Sequence, residues 1–179
     1  MINIVKKSKI IPVFLLIVFA IALIGIFISN MDSRPDLLDD EFLSLVTNSK
    51  VRLKDIIVKY EFVLVVFFRA EGLEDFDRLN NMVKFNDMDI GVNKRVVMLG
   101  IDGDFDEYLQ FLIDNPKIFL SLTWLHTDNT NYFNYIVVPN TLNIYVFWME
   151  DGEVMYKYLG SDLTEKEIKK ALDGLGFTE

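Results

Sequence analysis

Apolar positions along this chain follow three patterns, and each predicts a different kind of element. The first is an unbroken run from Ile10 to Ile28, preceded by Lys6, Lys7 and Lys9 and followed by Asp32, Asp36, Asp39, Asp40 and Glu41, with Arg34 the one basic residue on that far side. As a helix rising about 1.5 Å per residue, the run would be roughly 28 Å long, close to the roughly 30 Å hydrocarbon core of a bilayer. Pro12 falls in its first turn, where a missing N–H costs nothing, and Gly25 is tolerated in membrane helices. A cleaved signal peptide has a shorter apolar core, about 7 to 15 residues, and a small-x-small exit. The exit here reads Ile26-Phe27-Ile28-Ser29-Asn30-Met31, so a retained single-pass transmembrane helix over residues 10–28 is expected. The flanking lysines orient it with residues 1–9 in the cytoplasm and everything beyond the helix outside, in a periplasm or at a cell surface.

The second pattern is the short, continuous, β-branched run. Phe62 to Phe68 is apolar at every position, as in a parallel-sheet strand covered on both faces. Arg95 to Ile101 repeats it, and Ile118 to Leu125 reads as a third such stretch. Ile144 to Met149 and Val154 to Tyr158 flank Asp151-Gly152, a pair suited to the positive φ angles of a tight hairpin.

The third pattern has helical spacing. Leu73, Phe76, Leu79, Met82 and Val83 recur at three- and four-residue intervals behind Glu74, Asp75 and Asp77. Tyr108, Leu109, Leu112 and Ile113 do so behind Asp104, Asp106 and Glu107, and stop at Asn115-Pro116. Near the C-terminus Thr164 and Glu167 have the form of a capping box, Ile168, Leu172 and Leu175 line one face, Glu165 and Lys169 stand at i,i+4, and Gly174 is placed to end the helix. Residues 29–42 form a linker or short helix. Ser33-Arg34-Pro35-Asp36 could cap one carrying Leu38, Phe42 and Leu45, although residues 42–46 equally suit the start of a strand. No internal repeat interrupts residues 43–179, which read as one extracytoplasmic α/β domain in the order strand, βαβ, αβ, hairpin, helix.

Composition then narrows the chemistry. Of 179 residues none is cysteine and one, His126, is histidine. That removes thiolate catalysis, disulfides, Cys-ligated metals and a lipid anchor on cysteine. Lys+Arg number 18 against Asp+Glu 27, for a net charge of -9, and the first 30 residues hold three lysines and no acid. The acid excess therefore belongs wholly to the exported part, and nucleic acid is not an expected partner.

The residues resemble the thioredoxin-like superfamily, in particular its membrane-anchored TlpA/ResA-type branch, related to the redoxins of the AhpC-TSA group. Val51-Arg52-Leu53-Lys54-Asp55-Ile56 is similar to the segment ahead of that branch's central strand, and Phe62 to Phe68 to the strand leading into its active site. Met98 to Asp102 is similar to its next strand, and Phe147-Trp148-Met149-Glu150-Asp151-Gly152-Glu153-Val154 to its hairpin. The resemblance implies a three-layer α/β/α sandwich with a mixed sheet, preceded here by the transmembrane helix. It also places the family's CxxC motif on Gly72-Leu73-Glu74-Asp75, which offers neither attacking nor resolving thiol. Glu74 and Asp75 would serve there as helix-capping anions or as a site for a cationic partner group. The family's cis-proline aligns with Asn143, where a trans peptide and a reshaped groove are expected, while an offset alignment would put Pro139 in that place.

Other candidate sites are thinner. Asp102-Gly103-Asp104-Phe105-Asp106-Glu107 departs from a calcium loop, having Glu107 at the sixth position and Ile113 at the twelfth, so it reads as helix capping and no metal is expected. His126 lacks the neighbours of a catalytic triad and reads as a loop histidine. Trp124, Tyr132, Phe133 and Tyr135 lie among Asp128, Asn129, Asn131 and Asn134, a mixture found both at recognition surfaces and in cores. The expected function is a redox-inactive, membrane-anchored module without a cofactor that binds or assembles another exported or membrane protein. Glu71, Glu74, Asp75, Trp124, Tyr132, Phe133, Tyr135 and Asn143 are its candidate partner-binding residues. The competing expectations are an enzyme using Glu71, Glu74 and Asp75 as acid-base groups, and a chaperone-like holder of exported polypeptides.

Overall fold

The computed structural model describes residues 37–69, 76–101 and 105–177, without the side chains of residues 105 and 107. The apolar run 10–28 with its flanks, the cap at 33–36, the segment 71–75 and the acids of 102–104 lie outside these. Among the described residues no helix is long and apolar enough to cross a membrane.

A mixed seven-stranded sheet is built from β1 (Glu41–Ser44), β2 (Ser49–Arg52), β3 (Phe62–Phe68), β4 (Lys94–Ile101), β5 (Thr123–Thr127), β6 (Asn143–Glu150) and β7 (Glu153–Ser161). Its spatial order is β2-β1-β5-β4-β3-β6-β7. The central β3 pairs parallel with β4 and antiparallel with β6, and all seven of its residues are buried. That is the physical meaning of its unbroken apolar run: with period two, both faces must be covered. Phe62, Leu64, Val66 and Phe68 face one core, and Val63, Val65 and Phe67 the other.

The first core is closed by α2 (Phe76–Asp87), α3 (Phe105–Asp114), α4 (Pro116–Ser121) and α5 (Glu165–Asp173). They contribute Leu79, Met82 and Phe85, then Tyr108 and Leu112, then Ile118, then Ile168 and Leu172. Burying each such side chain contributes about 1.5–3 kcal/mol. The second core lies under α1 (Leu53–Ile57) and a 3-10 helix (Thr130–Tyr135), with Leu37 and Phe42 buried in it. Helices thus cover both faces of the sheet, and the expected order strand, βαβ, αβ, hairpin, helix is present with additions: β2 and α1 stand ahead of β3, α4 ahead of β5, and the 3-10 helix ahead of β6.

Several local expectations are corrected. Ile118 to Leu125 is not one strand: Pro116, its φ preset for a first helical position, opens α4, and only Thr123–Thr127 joins the sheet. Phe42 and Leu45 do not share a helix face. Phe42 sits on β1 in one core and Leu45, just beyond it, in the other, because a strand sends odd and even positions to opposite sides. His126 is not in a loop but on β5, only 4% exposed, with its ring 5.3 Å from that of Tyr108. Lys169 pairs with Asp173 at 3.3 Å rather than with Glu165, a choice between exposed i,i+4 partners each contributing only about 0.2–0.5 kcal/mol.

The two ends of the last unit behave as the pattern indicated. Asp151 and Gly152 have φ of 52° and 85°, so both central turn positions are left-handed and match the strand twist. Thr164 and Glu167 form a reciprocal capping box at the start of α5. Gly174 ends that helix in a right-handed conformation, and the left-handed turn follows at Gly176, with φ of 81°.

Candidate functional site

The carboxyl ends of β3 and β4 and the loop entering β6 lie at one end of the sheet, where open α/β folds place their sites. β3 runs into Arg69, whose guanidinium lies 5.2 Å from the ring centre of Phe133. Beside it Phe67 stacks on Tyr135 at 4.6 Å, and Tyr145 meets both rings edge-on, at 5.4 and 5.5 Å. Tyr158 packs on Tyr145 at 4.9 Å, and Tyr156 on Phe147 at 5.3 Å. These contacts follow from hairpin register. Tyr145 pairs with Tyr158 and Phe147 with Tyr156, so alternate residues of β6 and β7 stack their rings on one face.

Burial, reinforced by the neighbouring phenols of Tyr158, Tyr135 and Tyr156, pushes the Tyr145 hydroxyl up to about 12. It is therefore a neutral hydrogen-bonding group at ordinary pH and no base. The cluster is an aromatic platform packed into the second core, with Phe67, Tyr145 and Phe147 buried and Tyr156 exposed at its rim.

The loop above this platform is held by Asn143, which is fully buried at the head of β6. Its Oδ1 accepts from the Val138 N–H at 2.9 Å, and its Nδ2 donates to the carbonyls of Val138 at 3.0 Å and Thr141 at 3.2 Å. A carboxamide suits this task because it carries an acceptor and two donors on one planar group. Among the described residues no peptide bond is cis, so the chain enters β6 through a trans bond at Asn143, and Pro139 is trans as well. The clamp leaves Val137 and Val138 outward, 54% and 38% exposed.

A second tie joins this loop to α2. Arg78 donates to the Asn140 carbonyl at 3.0 Å and lies 3.3 Å from the Asp162 carboxylate. Asp162 in turn accepts from the Leu142 N–H at 2.8 Å while its own N–H donates to the Leu142 carbonyl at 3.0 Å. Helix, loop and strand end are thus linked through charge-assisted bonds, which are stronger than neutral ones.

Of the residues singled out in the sequence, Glu71, Gly72, Leu73, Glu74 and Asp75 lie outside the described residues. Phe133, Tyr135 and Asn143 come together. Tyr132 is buried in the same core and hydrogen-bonds the Asp40 carboxylate. Trp124 is fully buried on the other side of the sheet, with its indole N–H donating to the Ile118 carbonyl at 3.4 Å, so the four aromatics do not form one surface. Arg69, Arg78, Val137, Val138, Tyr145, Tyr156, Tyr158 and Asp162 were not singled out. The hairpin alternation could have placed the three tyrosines on one face, whereas Arg78 and Asp162 are 84 positions apart and carry no local signal. Among the described residues no group of three His, Cys, Asp or Glu side chains could hold a metal ion.

No protein-family profile matches this chain, and no curated protein matches it. Solved structures do. The pneumococcal exposed lipoprotein thioredoxin from Streptococcus pneumoniae strain TIGR4 aligns with a TM-score of 0.59 at 13% identity, over 75% of this chain and 98% of its own. A thioredoxin-related protein from Neisseria meningitidis serogroup B gives 0.56 at 15% identity, over 76% and 98%. StoA from Bacillus subtilis gives 0.54 at 13% identity, over 76% and 98%. At such identities the likeness is one of fold: this chain has the thioredoxin-like α/β fold with a mixed sheet.

Proposed function

We propose that this chain is a membrane-anchored, redox-inactive thioredoxin-like module that binds another exported or membrane protein outside the cytoplasm. The absence of cysteine from all 179 residues removes the thiolate on which disulfide exchange depends. The anchor and its orientation rest on the apolar run 10–28 and its flanking lysines.

One observation carries the binding role. The loop entering β6 is fixed from beneath by the buried Asn143 and from the side by Arg78, yet its two valines are held toward solvent. A rigid loop offering apolar side chains loses little conformational entropy on contact, which is what a docking surface needs. The polar network beneath it ties the loop to α2 and to the entrance of β6.

Affinity purification of the full chain from detergent-solubilised membranes tests the reading. The wild-type chain should recover a partner above a mock control, and the V137D/V138D variant, whose substitutions fall on exposed side chains, should lose it while melting at an unchanged temperature. Repeated recovery of nothing above the control would overturn the proposal.

A further inference from the structure

The seven-stranded sheet ends in two unlike edges. At one, β2 is only four residues long and exposes Ser49, Lys50 and Arg52, the short and charged form that discourages further pairing. At the other, β7 is nine residues long and exposes two neighbouring large apolar side chains, Met155 at 41% and Tyr156 at 49%.

Backbone geometry shows which groups of β7 are free to pair. Glu150 and Glu153 close the two-residue turn, so that pair exchanges both of its backbone hydrogen bonds. Alternation along an antiparallel ladder then turns the N–H and C=O of Val154, Tyr156 and Tyr158 away from β6. Among the described residues no strand flanks that outer side. An unpaired strand edge is a template for another strand, and the nearest strand of matching length and pattern is β7 of a second copy.

Charge chooses between the registers open to such a pair. An antiparallel β7–β7 contact must set the outward groups opposite one another, which over the middle of the strand allows a two-fold axis at Met155, Tyr156 or Lys157. An axis at Lys157 puts two ammonium groups face to face. An axis at Tyr156 sets Lys157 against Met155 and Glu153 against Leu159, with no ionic complement. An axis at Met155 sets Glu153 opposite Lys157 at both ends, Val154 opposite Tyr156 twice, and the two Met155 side chains against each other. Opposed residues in the non-hydrogen-bonded positions have Cα atoms about 4.5 Å apart, so both charge pairs come within ion-pair reach. Exposed pairs add little affinity, but they fix register and exclude the alternatives.

We propose that this chain forms a symmetric dimer through β7, antiparallel about a two-fold axis at Met155, joining two sheets into one continuous sheet. The contact covers Met155 and Tyr156 and extends the tyrosine-bearing face of the hairpin across the axis.

Light scattering on the purified full chain in detergent reads the protein mass directly. Wild type should weigh two chains. K157E, which sets Glu opposite Glu, and E153K, which sets Lys opposite Lys, should each weigh one. An equimolar mixture of those two variants, and the E153K/K157E double variant, should each return to two. Both side chains are exposed, so circular dichroism should show every variant folded. Because the chain has no cysteine, M155C should form a disulfide dimer under mild oxidation and K157C should not. A monomeric wild type, a K157E chain that remains a dimer, or crosslinking through K157C in place of M155C would each overturn the proposal.

Discussion

Asn143 and Val138 are joined by two hydrogen bonds of opposite sense: the Asn143 carboxamide oxygen accepts from the Val138 N–H at 2.9 Å, and its nitrogen donates to the Val138 carbonyl at 3.0 Å. A side chain here does for the backbone what a strand partner does elsewhere. The consequence is a loop fixed at its base and open at its tip, at the entrance to β6.

Replacing Asn143 with alanine takes away the partner of the part-buried backbone groups of Val138 and Thr141, where a fully buried group left unsatisfied costs about 1–3 kcal/mol. N143A should therefore lower the urea midpoint by an amount corresponding to about 2–4 kcal/mol, mostly through faster unfolding if the loop orders late. N143D keeps the shape but replaces donors by a buried negative charge, and should be at least as destabilising. An N143A chain with the wild-type midpoint would show that water replaces the clamp.

Arg78 and Asp162 tie α2 to the end of β7, and both side chains are partly exposed, which screens them. A double-mutant cycle with R78A and D162A should give a coupling of about 1 kcal/mol that shrinks in high salt. Arg78 also donates to the Asn140 carbonyl, so R78A should cost more than the coupling accounts for. Additivity of the two substitutions would mean that the pair contributes nothing.

The Tyr145 phenol is pushed up to about 12, chiefly by burial. The folded chain thus holds this proton more tightly than the unfolded chain, whose phenol titrates near its ordinary value of about 10. Its contribution to stability is fully present below pH ~10 and is lost as pH rises toward ~12, because there the unfolded state releases a proton that the folded state retains. Chemical denaturation between pH 9 and 12 should show that fall, and Y145F should make it shallower. Ultraviolet titration of the wild-type chain should show a phenol ionising near pH 12 that Y145F removes.

Disulfide exchange offers a clean negative. The purified chain should not accelerate reduction of insulin by dithiothreitol beyond the uncatalysed rate, since no thiol can form the mixed disulfide. Any acceleration above a denatured control would require chemistry that the described residues do not provide.

Much of the fold was legible in the sequence because the relevant signals are local. The unbroken apolar run of Phe62 to Phe68, the two apolar runs flanking Asp151-Gly152, and helical spacing in Leu79, Met82, Ile168 and Leu172 follow from burial of one face or two. The absence of cysteine was legible too. Ile118 misled because an apolar residue beside the sheet looks alike in a short helix and in a strand, and Trp124 because its aromatic neighbours in sequence lie across the sheet from it.

By itself, then, the sequence determined the central strand, the hairpin and the longer helices, the exclusion of thiol chemistry and the distribution of charge, since each depends on residue identity and near neighbours alone. Tertiary structure decided the rest. It buried His126 and Trp124 behind Tyr108 and Ile118, gathered Tyr135, Tyr145, Tyr156 and Tyr158 on one face, and brought Arg78 to Asp162. These pairings join residues far apart in the chain. Their energies come from desolvation and directed hydrogen bonds, which exist only once the sheet has set the distances.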